Sequence, residues 1–179
     1  MPVPVLTGEG RLEWAERPVP EPAPGQLLIE VVANAMCGTD RVQHRFGSAV
    51  TPGHEVAGEV VAARHGTVVT CGTRGVVYLM GYCGACRSCR LGHTNQCLDK
   101  HGDIGFERDG GYGRYVVVEE QRLFPVPADE DLIDATLLLD AMGTSAHAIE
   151  RARRARQDIQ SIAVAGAGPI GLGITAMPP

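Results

Sequence analysis

Four closely spaced cysteines constrain this chain more than any other feature: Cys83, Cys86, Cys89 and Cys97. Their spacing is C-x2-C-x2-C-x7-C, which lets successive thiolates turn toward one point, so that four sulfurs can surround a tetrahedral zinc ion. A shell of four sulfurs leaves no position for a substrate, so we expect this zinc ion to be structural. The pattern therefore predicts a lobe that folds around a metal ion rather than around an apolar core.

Two disulfides or an iron–sulfur cluster are the alternatives for four clustered cysteines. Disulfides need an oxidising compartment, and residues 1–6 lack the charged and then apolar composition of a secretory signal. No neighbouring sequence indicates electron transfer. We therefore favour zinc, bound in the reducing environment of the cytoplasm.

Short apolar runs, separated by glycine and proline, extend from Leu12 to about Val118. Strands are predicted over residues 27–32, 55–62, 75–79 and 112–118, and a further strand is predicted to begin at Val68. Regular short strands with this turn chemistry favour a small β-barrel or sandwich.

The character of the sequence changes after Pro127. Residues 129–139 have a helix-forming composition, and a helix is predicted over Thr144 to Arg156. The apolar run 161–165 predicts a buried strand, which leads into a glycine-rich turn. A β-rich domain is therefore followed by the opening of an α/β unit.

Two further segments carry groups that bind metals: Cys37-Gly38-Thr39-Asp40 and, seventeen positions after the cysteine, Gly53-His54-Glu55. Taken alone, each is a weak signal, because most single cysteines are small buried residues. A lone histidine is likewise more often hydrogen-bonded or exposed than a metal ligand.

Together with the cysteine lobe that follows them, these segments resemble the zinc-dependent medium-chain dehydrogenase/reductase family, which includes alcohol and polyol dehydrogenases. The proline-rich segment 20–32, the segment 109–118 and the glycine turn 166–171 also match, in the same order. The resemblance implies a mainly β fold with some α: a GroES-like β-barrel catalytic domain with a four-cysteine zinc lobe over residues 1–143. An interdomain helix and the first β-α element of a Rossmann cofactor domain would follow over residues 144–179.

The resemblance also implies a catalytic zinc site. Cys37 and His54 match the family's first two ligands, and Asp140 occupies the place of the third. An Asp before a helix is also a common N-cap. Here, however, Asp140 is a single carboxylate at the end of an otherwise apolar segment, which favours a ligand. Three protein ligands and an open fourth position are typical of catalytic zinc.

Three neighbours of these ligands would support the chemistry. Glu55 would lie beside the zinc ion, and Asp40 would orient the histidine ligand, although a turn or cap role is its alternative. Thr39 would relay the proton of the substrate. The implied reaction is hydride transfer between an alcohol or polyol and NAD or NADP, with zinc as the Lewis acid.

The glycines expected to bind a dinucleotide cofactor are Gly166, Gly168 and Gly171, in the form G-x-G-x-x-G. A dinucleotide site also needs a second strand with a charged residue about twenty positions further on. Because the sequence ends at Pro179, we expect a cofactor domain cut short early. The isolated chain would then neither bind NAD(P) usefully nor oxidise alcohols. The alternative function is a non-catalytic zinc-binding domain or remnant, which would bind one zinc ion rather than two.

The net charge of −5 argues against a nucleic-acid partner. The uncharged stretch 161–177 is better explained by a strand and a glycine turn than by a membrane span, so no membrane partner is expected. The expected partners are a small-molecule alcohol or carbonyl substrate and either a second copy of the chain or a chain that supplies a cofactor domain. Cys71 has no evident partner and is expected to be a free thiol.

Overall fold

The computed structural model describes residues 1–177. The chain divides into two compact units, Met1–Thr136 and a second unit that begins at Leu137. The first unit contains all seven strands found in the described residues, and the second is helical. The expected mainly β fold with some α is confirmed.

The first unit opens with an antiparallel hairpin of two strands, β1 (Pro2–Gly8) and β2 (Arg11–Glu16). The turn that joins them lies against the first helix, α1 (Asp40–Phe46), because the backbone amides of Glu9 and Gly10 donate to carbonyls near the end of that helix.

Five antiparallel strands form the main sheet, in the order β6-β3-β4-β5-β7. Their bounds are Gln26–Ala35 for β3, Glu55–Ala63 for β4, Arg74–Val77 for β5, Tyr115–Glu119 for β6 and Leu123–Pro125 for β7. Five short helical segments complete this unit: α1, α2 (Arg87–Arg90), α3 (Leu132–Ala135) and two 3-10 turns at Thr94–Gln96 and Glu120–Arg122.

The core of the sheet is built from apolar side chains at alternate positions. Ile29 on β3 lies opposite Val60 on β4 and Val116 on β6, and all three are at most 1% exposed. Each such side chain contributes about 1.5–3 kcal/mol when it is fully buried. A slip of one residue would turn this row toward solvent, so the alternation fixes the register.

That register brings two distant parts of the sequence together. Ala35, the last residue of β3, pairs with Glu55, the first residue of β4. Cys37 follows β3 by two residues and His54 directly precedes β4. The connection 36–54 therefore begins and ends at the same edge of the sheet, with one predicted ligand at each end.

The strand predicted to begin at Val68 is not formed, so that prediction was wrong. The backbone amides of Val68 and Val69 each donate to the carboxylate of Glu120 at 2.6 Å. Amides that bond a side chain in this way cannot take part in a strand ladder.

The second unit contains a π-helical turn at Leu138–Met142, α4 (Gly143–Ala155) and α5 (Pro169–Ala176). The helix predicted over residues 144–156 is confirmed within one residue at each end. The buried strand predicted over 161–165 is wrong: these residues are mostly exposed and form no strand. A strand is stable only when it pairs with a neighbour, and this segment pairs with none in the described residues.

No helix within residues 1–177 is both long enough and apolar enough to cross a membrane. The uncharged stretch 161–177 holds a single helix of eight residues, α5. The domain boundary predicted at residue 143 stays a prediction.

Candidate metal centres

The four-cysteine motif folds into one compact cluster. The sulfurs of Cys83, Cys86, Cys89 and Cys97 all lie within 4.8 Å of one another. Individual separations are 3.5 Å for Cys86–Cys89, 3.6 Å for Cys97–Cys83 and 3.9 Å for Cys86–Cys97. A disulfide would require about 2.05 Å, whereas a tetrahedron of sulfurs around zinc has edges of about 3.8 Å. The cluster therefore fits a structural zinc ion.

Backbone amides point at these sulfurs, as a bound thiolate requires. Cys97 Sγ accepts from the amides of Cys83 and Asp99, and Cys83 Sγ accepts from those of Ala85 and Cys86. Hydrogen bonds from the amides of Leu98 and then Cys89 lower the pKa of Cys86 to about 6. Burial and then the neighbouring thiols raise the pKa of Cys89 to about 12. Without metal, Cys89 thus retains a proton that zinc would displace.

A buried cation, Arg122, joins the two ends of the cysteine lobe (residues 79–102) at its base. Its guanidinium donates to the carbonyls of Leu79 at 3.4 Å and Gly102 at 3.0 Å, which are the two ends of the lobe. Its Nε lies 2.8 Å from Glu119 Oε2, and Glu119 also pairs with Arg108. The arginine side chain is 0% exposed, so its charge depends on these partners.

A pH dependence follows from Glu119. Burial raises its pKa, but the hydrogen bond from Arg108 and the charges of Arg122 and Arg108 outweigh burial and hold the pKa below the ordinary 4.5. A lowered carboxyl pKa adds stability above about pH 4.5 that is lost as the pH falls through the folded-state value. We expect Glu119→Gln to cost about 2 kcal/mol at pH 7 and progressively less below pH 4.5.

Urea unfolding of the wild type and Glu119→Gln at matched pH values tests this expectation, because acid release of zinc affects both proteins alike. A difference in unfolding free energy that stays constant down to pH 3 would contradict it.

The second cluster lies at the sheet edge where β3 ends and β4 begins. One potential ligand atom each from Cys37, His54 and Glu55 lies within 4.8 Å of the others. His54 and Glu55 are buried, whereas Cys37 is partly exposed. The ring of His54 also packs on Phe106, with 4.7 Å between ring centroids. Sulfur, imidazole and carboxylate together are a donor set suited to zinc, so these residues fit the predicted ion.

Asp40 joins the two segments that carry the predicted ligands Cys37 and His54. Its Oδ1 lies 3.5 Å from His54 Nδ1, and its Oδ2 accepts from the backbone amide of Cys37 at 2.9 Å. Burial raises the pKa of Asp40, but hydrogen bonds from His54, Tyr112 and the Cys37 amide outweigh burial and leave the pKa lowered. Asp40 is thus a carboxylate that contacts both segments, as its predicted orienting role requires.

The sequence reasoning missed Tyr112, whose hydroxyl donates to Asp40 Oδ2 at 2.6 Å. The sequence pattern placed this residue only at the start of the strand predicted over 112–118, whereas the strand begins at Tyr115. The backbone contact here is close: Gly53 has φ +99°, and a Cβ at that residue would lie 2.8 Å from the amide nitrogen of Tyr112. A glycine directly before His54 is therefore required by both conformation and space.

Thr39 and Asp140 are the remaining residues of the predicted catalytic site. Thr39 precedes α1, is exposed, and makes no side-chain cap with the helix. Asp140 belongs to the second unit, in the π-helical turn, where its carboxylate accepts from the Thr144 hydroxyl at 3.3 Å. Cys71 is a free, exposed thiol.

Of the three predicted cofactor glycines, Gly166 and Gly168 precede α5 and Gly171 lies in its first turn. Gly168 directly precedes the helix, and Gly166 has φ +112°. A Cβ on Gly171 would lie 2.1 Å from the carbonyl oxygen of Gly166, so the turn closes only with glycine at 171.

Comparison with known proteins agrees with this geometry. Residues 23–128 match the alcohol dehydrogenase GroES-like domain. The chain belongs to this family. Within this family, the chain is 34% identical over 172 residues to L-galactonate-5-dehydrogenase of Escherichia coli K12, covering 93% of this chain and 49% of the relative.

Solved structures of an alcohol dehydrogenase and of a reductase share the fold. A thermostable alcohol dehydrogenase from Pyrobaculum aerophilum, with bound cobalt and zinc, has a TM-score of 0.76 and 32% identity over 85% of this chain and 48% of its own. Acetophenone reductase from Geotrichum candidum, in complex with NAD, has a TM-score of 0.80 and 26% identity over 96% of this chain and 52% of its own. This GroES-like chain thus spans about half the length of the relatives that it matches.

Proposed function

We propose that this chain is the zinc-binding catalytic part of a dehydrogenase that transfers hydride between an alcohol or polyol and NAD or NADP. The observation that carries the proposal is the cluster of Cys37, His54 and Glu55 ligand atoms within 4.8 Å, separate from the four-cysteine lobe. Membership of the family supports it, as do relatives named L-galactonate-5-dehydrogenase and L-threonine 3-dehydrogenase.

In this proposal Cys37, His54 and Asp140 hold the catalytic zinc, and Glu55 lies beside them. When bound, the ion would supply Lewis-acid chemistry, which makes an alcohol easier to deprotonate and a carbonyl easier to reduce. The buried position of His54 and Glu55 supports this role, because a partly dry site strengthens electrostatic interactions. The sulfurs of the lobe would hold a second, structural zinc ion.

Thr39 is proposed to pass the substrate proton outward. Its exposure and the absence of a cap bond from its side chain leave the hydroxyl accessible to solvent, as a relay requires. Asp40 is proposed to hold the His54 ring so that the opposite nitrogen faces the metal.

The glycine turn at Gly166, Gly168 and Gly171 is proposed to approach the pyrophosphate of NAD or NADP, in line with relatives solved with NAD and NADH. Its place at the N-terminus of α5 supports the proposal, because helix N-termini favour phosphate. The proposed domain boundary remains residue 143, with the cofactor-binding part from 144 onward.

We further propose a cytoplasmic location, since all six cysteines are free and thiols persist in a reducing compartment. The proposed partners are a small-molecule alcohol or carbonyl substrate and a second copy of the chain or a chain that supplies a cofactor domain.

Metal content tests the proposal. We expect two zinc ions per wild-type chain by mass-spectrometric metal analysis and one per chain for Cys37→Ser, because sulfur is the softest ligand in the second cluster. Cys71→Ser, which changes a free thiol outside both clusters, is the matched control and should keep two ions. A wild-type chain that binds only one ion would favour the non-catalytic zinc-binding domain instead.

A further inference from the structure

We propose that Tyr112 is a positioning residue for the second metal cluster: its hydroxyl fixes the Asp40 carboxylate, which in turn orients the His54 ring. This inference rests on the proposed function, because it assigns a role toward the ion that Cys37 and His54 would hold.

The argument starts from the hydrogen bonds of Asp40. Oδ2 accepts two of them, at 2.6 Å from the Tyr112 hydroxyl and at 2.9 Å from the Cys37 amide. A carboxylate oxygen offers two lone pairs, so Oδ2 is fully used. The plane of the carboxylate is thereby fixed, and Oδ1 is left 3.5 Å from His54 Nδ1. If the Tyr112 hydroxyl is removed, only the Cys37 amide holds Oδ2, and the carboxylate can rotate.

Tyr112 is itself held by the segment that carries His54. Its backbone amide donates to the Pro52 carbonyl at 3.0 Å, and the amides of Gly110 and Gly111 donate to the carbonyls of Thr51 and Gly53. Three consecutive backbone bonds thus join the loop that contains Tyr112 to the loop that ends at His54. The position of the tyrosine ring relative to the histidine ring is therefore fixed, and Asp40 lies between them and contacts both.

This arrangement selects one state of the histidine. A carboxylate at Nδ1 favours the tautomer with its proton on Nδ1, in which Nε2 carries no proton and has the lone pair that a metal ion needs. Outer partners of metal ligands typically change metal affinity 10- to 100-fold when they are removed. Tyr112 acts one bond further out than Asp40, so we expect an effect of about 3- to 10-fold, at or below the low end of that range.

The test is a stepwise cobalt titration of the metal-free 179-residue chain, followed by visible absorbance and compared with Tyr112→Phe. The four-sulfur site serves as an internal reference, because its spectrum differs from that of a mixed sulfur, nitrogen and oxygen site. We expect Tyr112→Phe to weaken the mixed site about 3- to 10-fold and to shift its absorbance bands, while the four-sulfur site keeps its affinity. Tyr115→Phe, whose hydroxyl lies 3.5 Å from Glu30, is the matched control and should change neither site.

A double-mutant cycle shows whether Tyr112 acts through Asp40. We expect Asp40→Ala to weaken the mixed site more than Tyr112→Phe does, and Tyr112→Phe to add nothing in the Asp40→Ala background. A mixed site of wild-type affinity in Tyr112→Phe, or equal losses at both sites, would overturn the inference alone. A wild-type chain that binds no second ion would overturn the proposed function, and this inference with it.

Discussion

Replacing Cys97 by serine is expected to release one zinc ion per chain and to unfold the cysteine lobe. Cys97 is the most buried of the four lobe cysteines, and its sulfur contacts those of Cys83 and Cys86 and accepts two backbone amides. The lobe has little apolar core of its own, since no side chain between Cys83 and Gln96 is buried. Its folding free energy therefore comes largely from metal binding.

The expected loss is about 4 kcal/mol, which corresponds to zinc present at about a thousand times its dissociation constant. For a chain of this length, the loss lowers Tm by about 8–16 °C. Differential scanning calorimetry with and without a chelator measures it. The chelator should lower the Tm of the wild type by a similar amount and change that of Cys97→Ser much less.

Cys71→Ser provides the control for this experiment, because Cys71 is exposed and belongs to neither cluster. It should keep the zinc content, the Tm and the chelator response of the wild type. Equal chelator responses in Cys97→Ser and the wild type would show that the lobe does not depend on metal.

Arg122→Met is the second substitution with a large expected effect. It removes two hydrogen bonds at the ends of the lobe and leaves the carbonyls of Leu79 and Gly102 without this donor. It also breaks the ion pair with Glu119, which keeps Arg108 as a partner. Breaking a buried ion pair on one side typically costs 3–5 kcal/mol; because Glu119 stays paired, we expect about 3 kcal/mol in the free energy of unfolding.

Arg114→Met is the matched control, since Arg114 also pairs with a carboxylate, Glu30 at 3.0 Å, but its side chain is 66% exposed. Exposed ion pairs contribute at most about 1 kcal/mol. Urea unfolding of both variants should therefore separate them by about 2 kcal/mol or more. A loss for Arg122→Met no larger than that of the control would show that the lobe base does not depend on this arginine.

Strands and helices were predicted best where the local pattern and the tertiary contacts agree. The alternation in β3 and β4 reflects a sheet with a dry face, and both strands were found. The strand predicted to begin at Val68 is not formed, because the backbone amide of Val68 donates to the carboxylate of Glu120, which is distant in sequence. The strand predicted over 161–165 is not formed, because these apolar residues have no neighbouring strand within the described residues. An apolar composition is not enough to form a strand without such a neighbour.

The sequence by itself determined the four-sulfur site, because a spacing of two residues brings successive thiolates to one point within a single turn of chain. It also indicated Cys37 and His54, but only through the order of motifs that resemble a family.

Only the tertiary structure decided how those two predicted ligands are supported. The pairing of Ala35 with Glu55 brings Cys37 and His54 to one sheet edge, and the hydrogen bond from Tyr112 to Asp40 joins residues 72 positions apart. The cation at the base of the lobe, Arg122, reaches carbonyls 43 and 20 positions away. Such contacts depend on sheet register and on loops that meet in space, and neither leaves a periodic or spacing signal in the sequence.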